Sequence, residues 1–326
     1  MRHDQDKKVS VIIPAYNAQE SLQRCVESVL GQTVQPFELI IINDGSTDDT
    51  AAVANIFDSE SIYVEQENLG QGAARNTGLR VASGEYISFL DADDYWLPEF
   101  LETCIDFLEA HPLVVAANTG YRVKQRRGQM TGPTNLRSLA RSKPNGMVLD
   151  HFFSFWGKYD HIRTGTVVLR RETIIRAGGQ RADLRISQDL EYWGYLATFG
   201  PWGFIPRILW VGDSASVAVQ TGWWRKYRER RKLCPDVELW EERIVPRLRQ
   251  QDSSGFIQVR GRVAAGYAHN KILAGKRDEA LMIVKKYASS LPFNRVTRLM
   301  RFGARLGGPF WVAICVVLIL RERLKG

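Results

Sequence analysis

Three carboxylates fall within four residues at Asp91-Ala92-Asp93-Asp94, directly after the apolar run Tyr86–Leu90. Like charges this close repel one another unless a cation or hydrogen bonds offset them. Carboxylates suit hard cations, so Mn2+ or Mg2+ is the expected partner, and such ions often carry a substrate diphosphate as well. A plainer reading exists for Asp94, which can cap the helix entered near Pro98. Three other segments carry similar promise: Pro14-Ala15-Tyr16-Asn17, Asn43-Asp44-Gly45-Ser46, and the run from Asn68 to Asn76 (NLGQGAARN). Together they offer an aromatic face, further carboxylates, a glycine-rich turn and one arginine, Arg75.

Each of these segments follows a strand signal. The strands read as Val9–Pro14, Phe37–Ile42, Ile62–Glu65, Tyr86–Leu90 and Val114–Asn118, with helical spacing between them. Leu22, Val26 and Val29 recur at helical spacing, with Asn17 and Glu20 resembling a capping box. Helices follow over 51–57, over 72–81 and from Pro98 onward. Strands alternating with helices imply an α/β fold with a mainly parallel sheet covered on both faces. In such a sheet ligands bind beyond the carboxyl ends of the strands, which gathers the four segments at one edge. Residues 122–150 are polar and basic and read as an excursion. Strand signals return at 166–169 and 204–211, helical ones at 173–177 and 190–199. From about Thr221 the pattern is helical and basic, so the expected division is 1–220 and 221–326.

Some chemistries are excluded. No G-x-G-x-x-G follows the first strand, where Pro14 and Tyr16 stand instead, and no Walker-type phosphate loop appears. A nucleotidyltransferase would want a glycine-rich loop with a lysine there. The net charge of +8 invites a nucleic-acid reading, supported by RKYRERRK in 225–232. Its distribution argues otherwise: residues 1–120 hold 6 basic and 20 acidic side chains, the remainder 38 and 16. An acidic strand-tip cluster repels nucleic-acid phosphates.

The motifs VSVIIPAYN, FELIIINDGSTDDT, NLGQGAARNTGL and GEYISFLDADD, in this order and spacing, resemble the family 2 glycosyltransferases of the GT-A fold. The resemblance spans about residues 8–120, and 160–217 more loosely. It implies an inverting glycosyltransferase of the hexosyl- or N-acetylhexosaminyltransferase class. Its donor is a nucleotide-diphosphate sugar, usually a UDP-sugar. Its acceptor is a hydroxyl of a glycan or lipid-linked acceptor in cell-envelope polysaccharide synthesis. By resemblance, Tyr16 packs on the base with Pro14 and Ala15 shaping its pocket, and Asp44 reads the uracil imide. Arg75 stands near the base or diphosphate, although a helix-face ion pair would also account for it. Asp91, with Ala92, approaches the ribose or donor sugar, and Asp93 holds the metal. The family often supplies its base from a Glu-Asp pair opening a helix; here the match is Gln188-Asp189, so Asp189 is the expected base and Glu191 the alternative. Where the family often has a histidine as a further metal ligand, Asp213 lies nearest. The family's G-G-F-D-E reads Gly178-Gly179-Gln180-Arg181-Ala182 here. Arg163-Thr164-Gly165-Thr166 is expected on the acceptor side.

Trp193, Trp202, Trp210, Trp223 and Trp224 are crowded together, as sugar-stacking groups or as core. Cys25, Cys104, Cys234 and Cys315 show no paired spacing, which fits a reduced cytoplasmic compartment. The N-terminus lacks an apolar signal core. Near the other end, residues 309–320 (PFWVAICVVLIL) are uncharged and flanked by arginines. Twelve residues are too few to span a bilayer. Two readings stand: a core-docking helix, or a monotopic anchor that holds the enzyme against an anionic membrane surface at the inner face of the cell membrane.

Overall fold

A computed structural model describes residues 8–125, 128–132, 136–213 and 223–323. It divides into two compact units, one of residues 1–182 and 192–217, the other of 183–191 and 218–326. The expected boundary at 220/221 lies outside the described residues.

The first unit is built on one sheet of ten strands: β1 Val9–Ala15, β2 Glu38–Asp44, β3 Ile62–Gln66, β4 Tyr86–Phe89, β5 Tyr95–Trp96, β6 Ala116–Lys124, β7 Met130–Thr131, β8 Met147–Leu149, β9 Val167–Arg170 and β10 Trp202–Asp213. The spatial order is β3-β2-β1-β4-β9-β6-β10-β5, with β7 on β6 and β8 on β10. Strands β1 to β4 pair parallel with one another, as does β6 with β10. Antiparallel pairing enters through β9, which separates β4 from β6. This is the GT-A-like architecture, a mostly parallel sheet flanked by helices.

Apart from the edge strand β3, the apolar runs at the centre of the sheet become buried strands. Every residue of β1 is buried, as parallel strands covered by helices require. The helix Leu22–Leu30 turns Leu22, Cys25, Val26 and Val29 inward, matching its 3.6-residue period. Its expected capping box does not form. Asn17 sits instead in the left-handed region (φ 49°), and its side-chain oxygen accepts from the Thr47 N–H at 2.8 Å, which ties the β1 tip to the β2 tip. A short polar residue tolerates that backbone, and the loop partner outcompetes the local cap. The helix Gln71–Val81 lies so close to β1 that a Cβ on Gly78 would stand 2.3 Å from Ile12 Cγ2. Residues 122–150 are more structured than their composition implies, since they supply β7, the helix Arg137–Ser142 and β8. The two-residue β5 was also unforeseen, being too short to carry a periodicity.

The second unit is helical, with Trp223–Lys232, Val237–Glu241, Ser253–Ala274, Arg277–Lys286, Arg295–Leu306 and Gly308–Arg323. Trp240 stacks on Phe256 at its centre. The apolar run falls in Gly308–Arg323, whose Trp311, Cys315 and Leu318 are buried at helical spacing. The opposite side, including Phe310, Val316, Val317 and Leu320, is exposed. One face of this helix docks on the helical unit and the other is bare. Among the described residues no helix is long and apolar enough to cross a membrane.

Replacing Gly78 with Ala forces the helix Gln71–Val81 off β1. We expect about 1–3 kcal/mol of destabilisation, read as a lower urea midpoint, despite alanine's better helix propensity. An unchanged midpoint would contradict the close seating of helix on strand.

Candidate active site

The β4 tip carries the carboxylates, and the structure treats them unequally. Asp91 Oδ1 accepts from Arg75 Nη2 at 2.5 Å. Arg75 rises from Gln71–Val81 and is 1% exposed, so this ion pair is half-buried on one side and fully buried on the other. Arg75 Nη1 also donates to Gln180 Oε1 at 3.2 Å. Gln180 is held in turn by Asn76: its N–H donates to Asn76 Oδ1 and its carbonyl accepts from Asn76 Nδ2, both at 2.8 Å. The ion-pair reading of Arg75 is thus observed, and the partner is itself one of the site carboxylates.

Asp213, at the end of β10, is buried and accepts from Arg24 at 2.7 Å and from Lys124 at 3.4 Å. Arg24 also donates to the Asp93 carbonyl at 2.8 Å and lies over the Tyr95 ring. Asp94 Oδ1 accepts from the Asp213 N–H at 3.1 Å, so Asp94 joins the β4 tip to β10 rather than capping the helix Phe100–Ala110. Among the described residues no cation pairs with the side chain of Asp93 or Asp94. Burial, reinforced by the Asp91 charge, pushes the Asp93 carboxyl up to about 6, and burial pushes Asp94 upward as well.

That imbalance tests the fit of a divalent cation. Among the described residues no group of three or more His, Cys, Asp or Glu side chains could hold a metal alone. A cation that carries phosphates needs only one or two carboxylates from the protein. The raised Asp93 is a hard ligand short of positive charge, and it fits. Asp213 is already shared by two basic side chains.

The neighbouring tips are locked around it. Tyr16 is 52% exposed, while Pro14 and Ala15 beneath it are buried. Its ring is therefore free to stack. Asp44 is buried, and accepts from Gln66 Nε2 at 2.7 Å, Leu69 N–H at 2.9 Å and Gly70 N–H at 2.8 Å. Gly70 reaches that geometry at φ 90°, which only glycine adopts readily. In this state the Asp44 carboxylate fastens the glycine-rich turn to β2. Ala92 is buried between Asp91 and Asp93.

In the segment 183–191, Asp189 is half-buried in the first turn of the helix Gln188–Leu196. Glu191 is fully buried, and Arg243 grips both its oxygens at 2.8 and 2.6 Å. Glu191 is thus engaged in an ion pair, whereas Asp189 keeps a partly exposed side chain. Trp193, Trp202 and Trp210 are buried and belong to the core. The side chains of Trp223 and Trp224 lie outside the described residues. Thr164, Gly165 and Thr166 form a buried 3-10 turn, with the Gly165 carbonyl accepting from Trp96 at 2.6 Å.

The chain is similar to known proteins. The profile of glycosyl transferase family 2 matches residues 10–175, just over half of the chain. The chain belongs to glycosyl transferase family 2. This family 2 chain is 36% identical over 126 residues to the glycosyltransferase GlyA of Streptococcus pneumoniae serotype 4, covering 38% of the chain and 18% of GlyA. It is 40% identical over 115 residues to WfaP of Escherichia coli, a UDP-Glc:alpha-D-GlcNAc-diphosphoundecaprenol beta-1,3-glucosyltransferase, covering 35% of the chain and 46% of WfaP. The chain thus spans less than half the length of these relatives. The structure of S. aureus TarS 1–349 with UDP-GlcNAc superposes at a TM-score of 0.59 and 14% identity, covering 98% of the chain and 92% of TarS 1–349. The mannosyltransferase PcManGT from Pyrobaculum calidifontis, solved with GDP-Man and Mn2+, superposes at 0.55 and 20% identity, covering 97% and 87%. At such identities the likeness concerns the fold.

Two residues of this cluster, Arg24 and Gln180, were not singled out as site residues from the sequence. Arg24 left a signal, since it is the only Lys or Arg between Lys8 and Arg75. Gln180 left none beyond its departure from the family pattern.

A carboxyl raised in the folded state contributes stability below its unfolded value near 3.8 and loses it as pH rises through about 6. The cost at neutral pH is on the order of 3 kcal/mol. Metal-free Asp93→Asn should therefore unfold at a higher temperature than wild type at pH 7.5, with the gap closing toward pH 4. Added Mn2+ should raise the wild-type midpoint more at pH 7.5 than at pH 5 and leave Asp93→Asn unmoved. A variant less stable than wild type at pH 7.5 would show that Asp93 is a structural anion.

Proposed function

We propose that this family 2 chain is an inverting glycosyltransferase. It moves a sugar from a nucleotide-diphosphate donor, a UDP-sugar, to a hydroxyl of a glycan or lipid-linked acceptor in envelope polysaccharide synthesis. The observation that carries the reading is the unneutralised Asp93 beside Asp91, at the same sheet edge as the exposed Tyr16. Such a site supplies a hard ligand for a diphosphate-bound cation and a face for a base. The named activity of WfaP, the UDP-GlcNAc bound to TarS and the GDP-Man bound to PcManGT support a nucleotide-sugar donor.

In this reading Tyr16 stacks on the base, above Pro14 and Ala15, and Asp44 keeps the 66–70 turn in register while one oxygen shares the base imide. Arg75 orients Asp91 toward the ribose or donor sugar. Asp93, with Asp213 as a further carboxylate at the end of β10, would hold Mn2+ or Mg2+. When bound, that cation offsets charge on the leaving diphosphate. Asp189 accepts the proton of the acceptor hydroxyl as its oxygen bonds to the anomeric carbon and the bond to the diphosphate oxygen breaks. Inversion follows from attack on the face opposite the leaving group. The enzyme works at an anionic membrane surface, on the inner face, through its C-terminal helices.

Thermal shift against a panel of nucleotide-sugars with Mn2+ should reveal stabilisation by a UDP-sugar. Asp189→Asn should keep that shift while kcat falls about 10²–10⁴-fold. No shift with any nucleotide-sugar would defeat the donor assignment, and an unchanged kcat would defeat Asp189 as the base.

A further inference from the structure

The C-terminal helices carry a cavity that the transfer chemistry does not use. It measures about 420 Å³ and is lined by Gly266 and His269 of Ser253–Ala274, by Asn294, Arg295 and Thr297, and by Arg321. Asn294 and Thr297 are engaged with each other, at 3.0 and 3.2 Å. Among the described residues, neither Arg295 nor Arg321 meets a carboxylate. Two unpaired guanidinium groups on one cavity make a receptor for a phosphate.

The surroundings identify which phosphate. Gly303 faces Trp311 and Ile314 while Arg295 and Arg321 line one cavity, so Arg295–Leu306 and Gly308–Arg323 run antiparallel. From Arg295, exposed Leu299, Phe302 and Leu306 follow at four, seven and eleven residues, along one helix face. Back from Arg321, exposed Val317 and Phe310 follow at four and eleven. Each apolar stripe thus ends in a cavity arginine. Residues 295–323 hold six arginines against one glutamate. Apolar stripes with a cationic border match a bilayer interface, where greasy side chains enter the acyl boundary and arginines meet headgroups.

We propose that this helical pair docks on an anionic bilayer and that the cavity receives the headgroup phosphate of an anionic phospholipid. The proposal rests on the membrane reading above and adds a lipid-specific pocket to it. A Cβ at Gly266 would meet nothing within 4 Å, so Gly266→Phe is the variant chosen to occupy the cavity without a change of charge.

The test uses the full-length protein sedimented with vesicles of phosphatidylcholine, alone or mixed with phosphatidylglycerol. Wild type should prefer the mixed vesicles. Arg295→Gln with Arg321→Gln should weaken that binding roughly thirtyfold. Gly266→Phe should weaken it by at least about fivefold, the worth of one arginine. Unfolding midpoints near wild type show that the variants are folded. If Gly266→Phe binds the mixed vesicles as wild type does, the attraction is diffuse and the pocket is overturned, while the membrane reading stands. If wild type does not prefer phosphatidylglycerol, both fall. Stabilisation by inorganic phosphate without sedimentation assigns the cavity to a free anion and overturns the lipid.

Discussion

Mutual repulsion among the carboxylates at the β4 tip is the constraint around which the first unit is arranged. Asp91, Asp93, Asp94 and Asp213 converge there with too few cations to neutralise them. Arg75 satisfies Asp91 and Arg24 satisfies Asp213, with Lys124 adding to the latter. Asp93 and Asp94 remain against the gradient of burial. A protein built only for stability would replace such groups, because an unpaired buried charge is costly. Their retention is understandable where a substrate-borne cation completes the balance.

Holding Arg75 in place takes most of the surrounding structure. Its helix must lie within reach of β4, which depends on Gly78 lying against Ile12. Its second nitrogen is braced by Gln180, itself clasped by Asn76. The start of the helix is set by the Gly70 turn, which Asp44 fastens to β2. Asn17 then links the β1 and β2 tips. Each contact joins residues far apart in the chain, so the charge balance at one aspartate reports on the packing of four strands.

The second unit answers a different problem. An apolar helix too short to cross a bilayer has two ways to shelter its surface, the protein core and a lipid interface. Trp311, Cys315 and Leu318 take the first, and Trp311 also donates to the Arg277 carbonyl at 3.0 Å. The bare face and the arginines leave the second open.

The alternating strands and helices, the burial of β1 and the gathering of chemistry at the strand tips were legible in the sequence. They follow from local periodicity and from the rule that a parallel sheet presents its ligand site at its carboxyl edge. The Asp91–Asp93 cluster was legible because like charges in consecutive positions have few structural uses. Which carboxylate stays unneutralised was not legible. Arg24 meets Asp213 across 189 residues and Gln180 meets Arg75 across 105. No local pattern encodes such pairings. The sequence placed Asn17 in a cap and Asp94 at a helix start, where local hydrogen bonding is the only information. Tertiary structure gave Asn17 to the Thr47 N–H beside the β2 tip and Asp94 to the Asp213 N–H on β10 instead, because a backbone N–H without a partner in its own segment takes the oxygen that folding brings within reach.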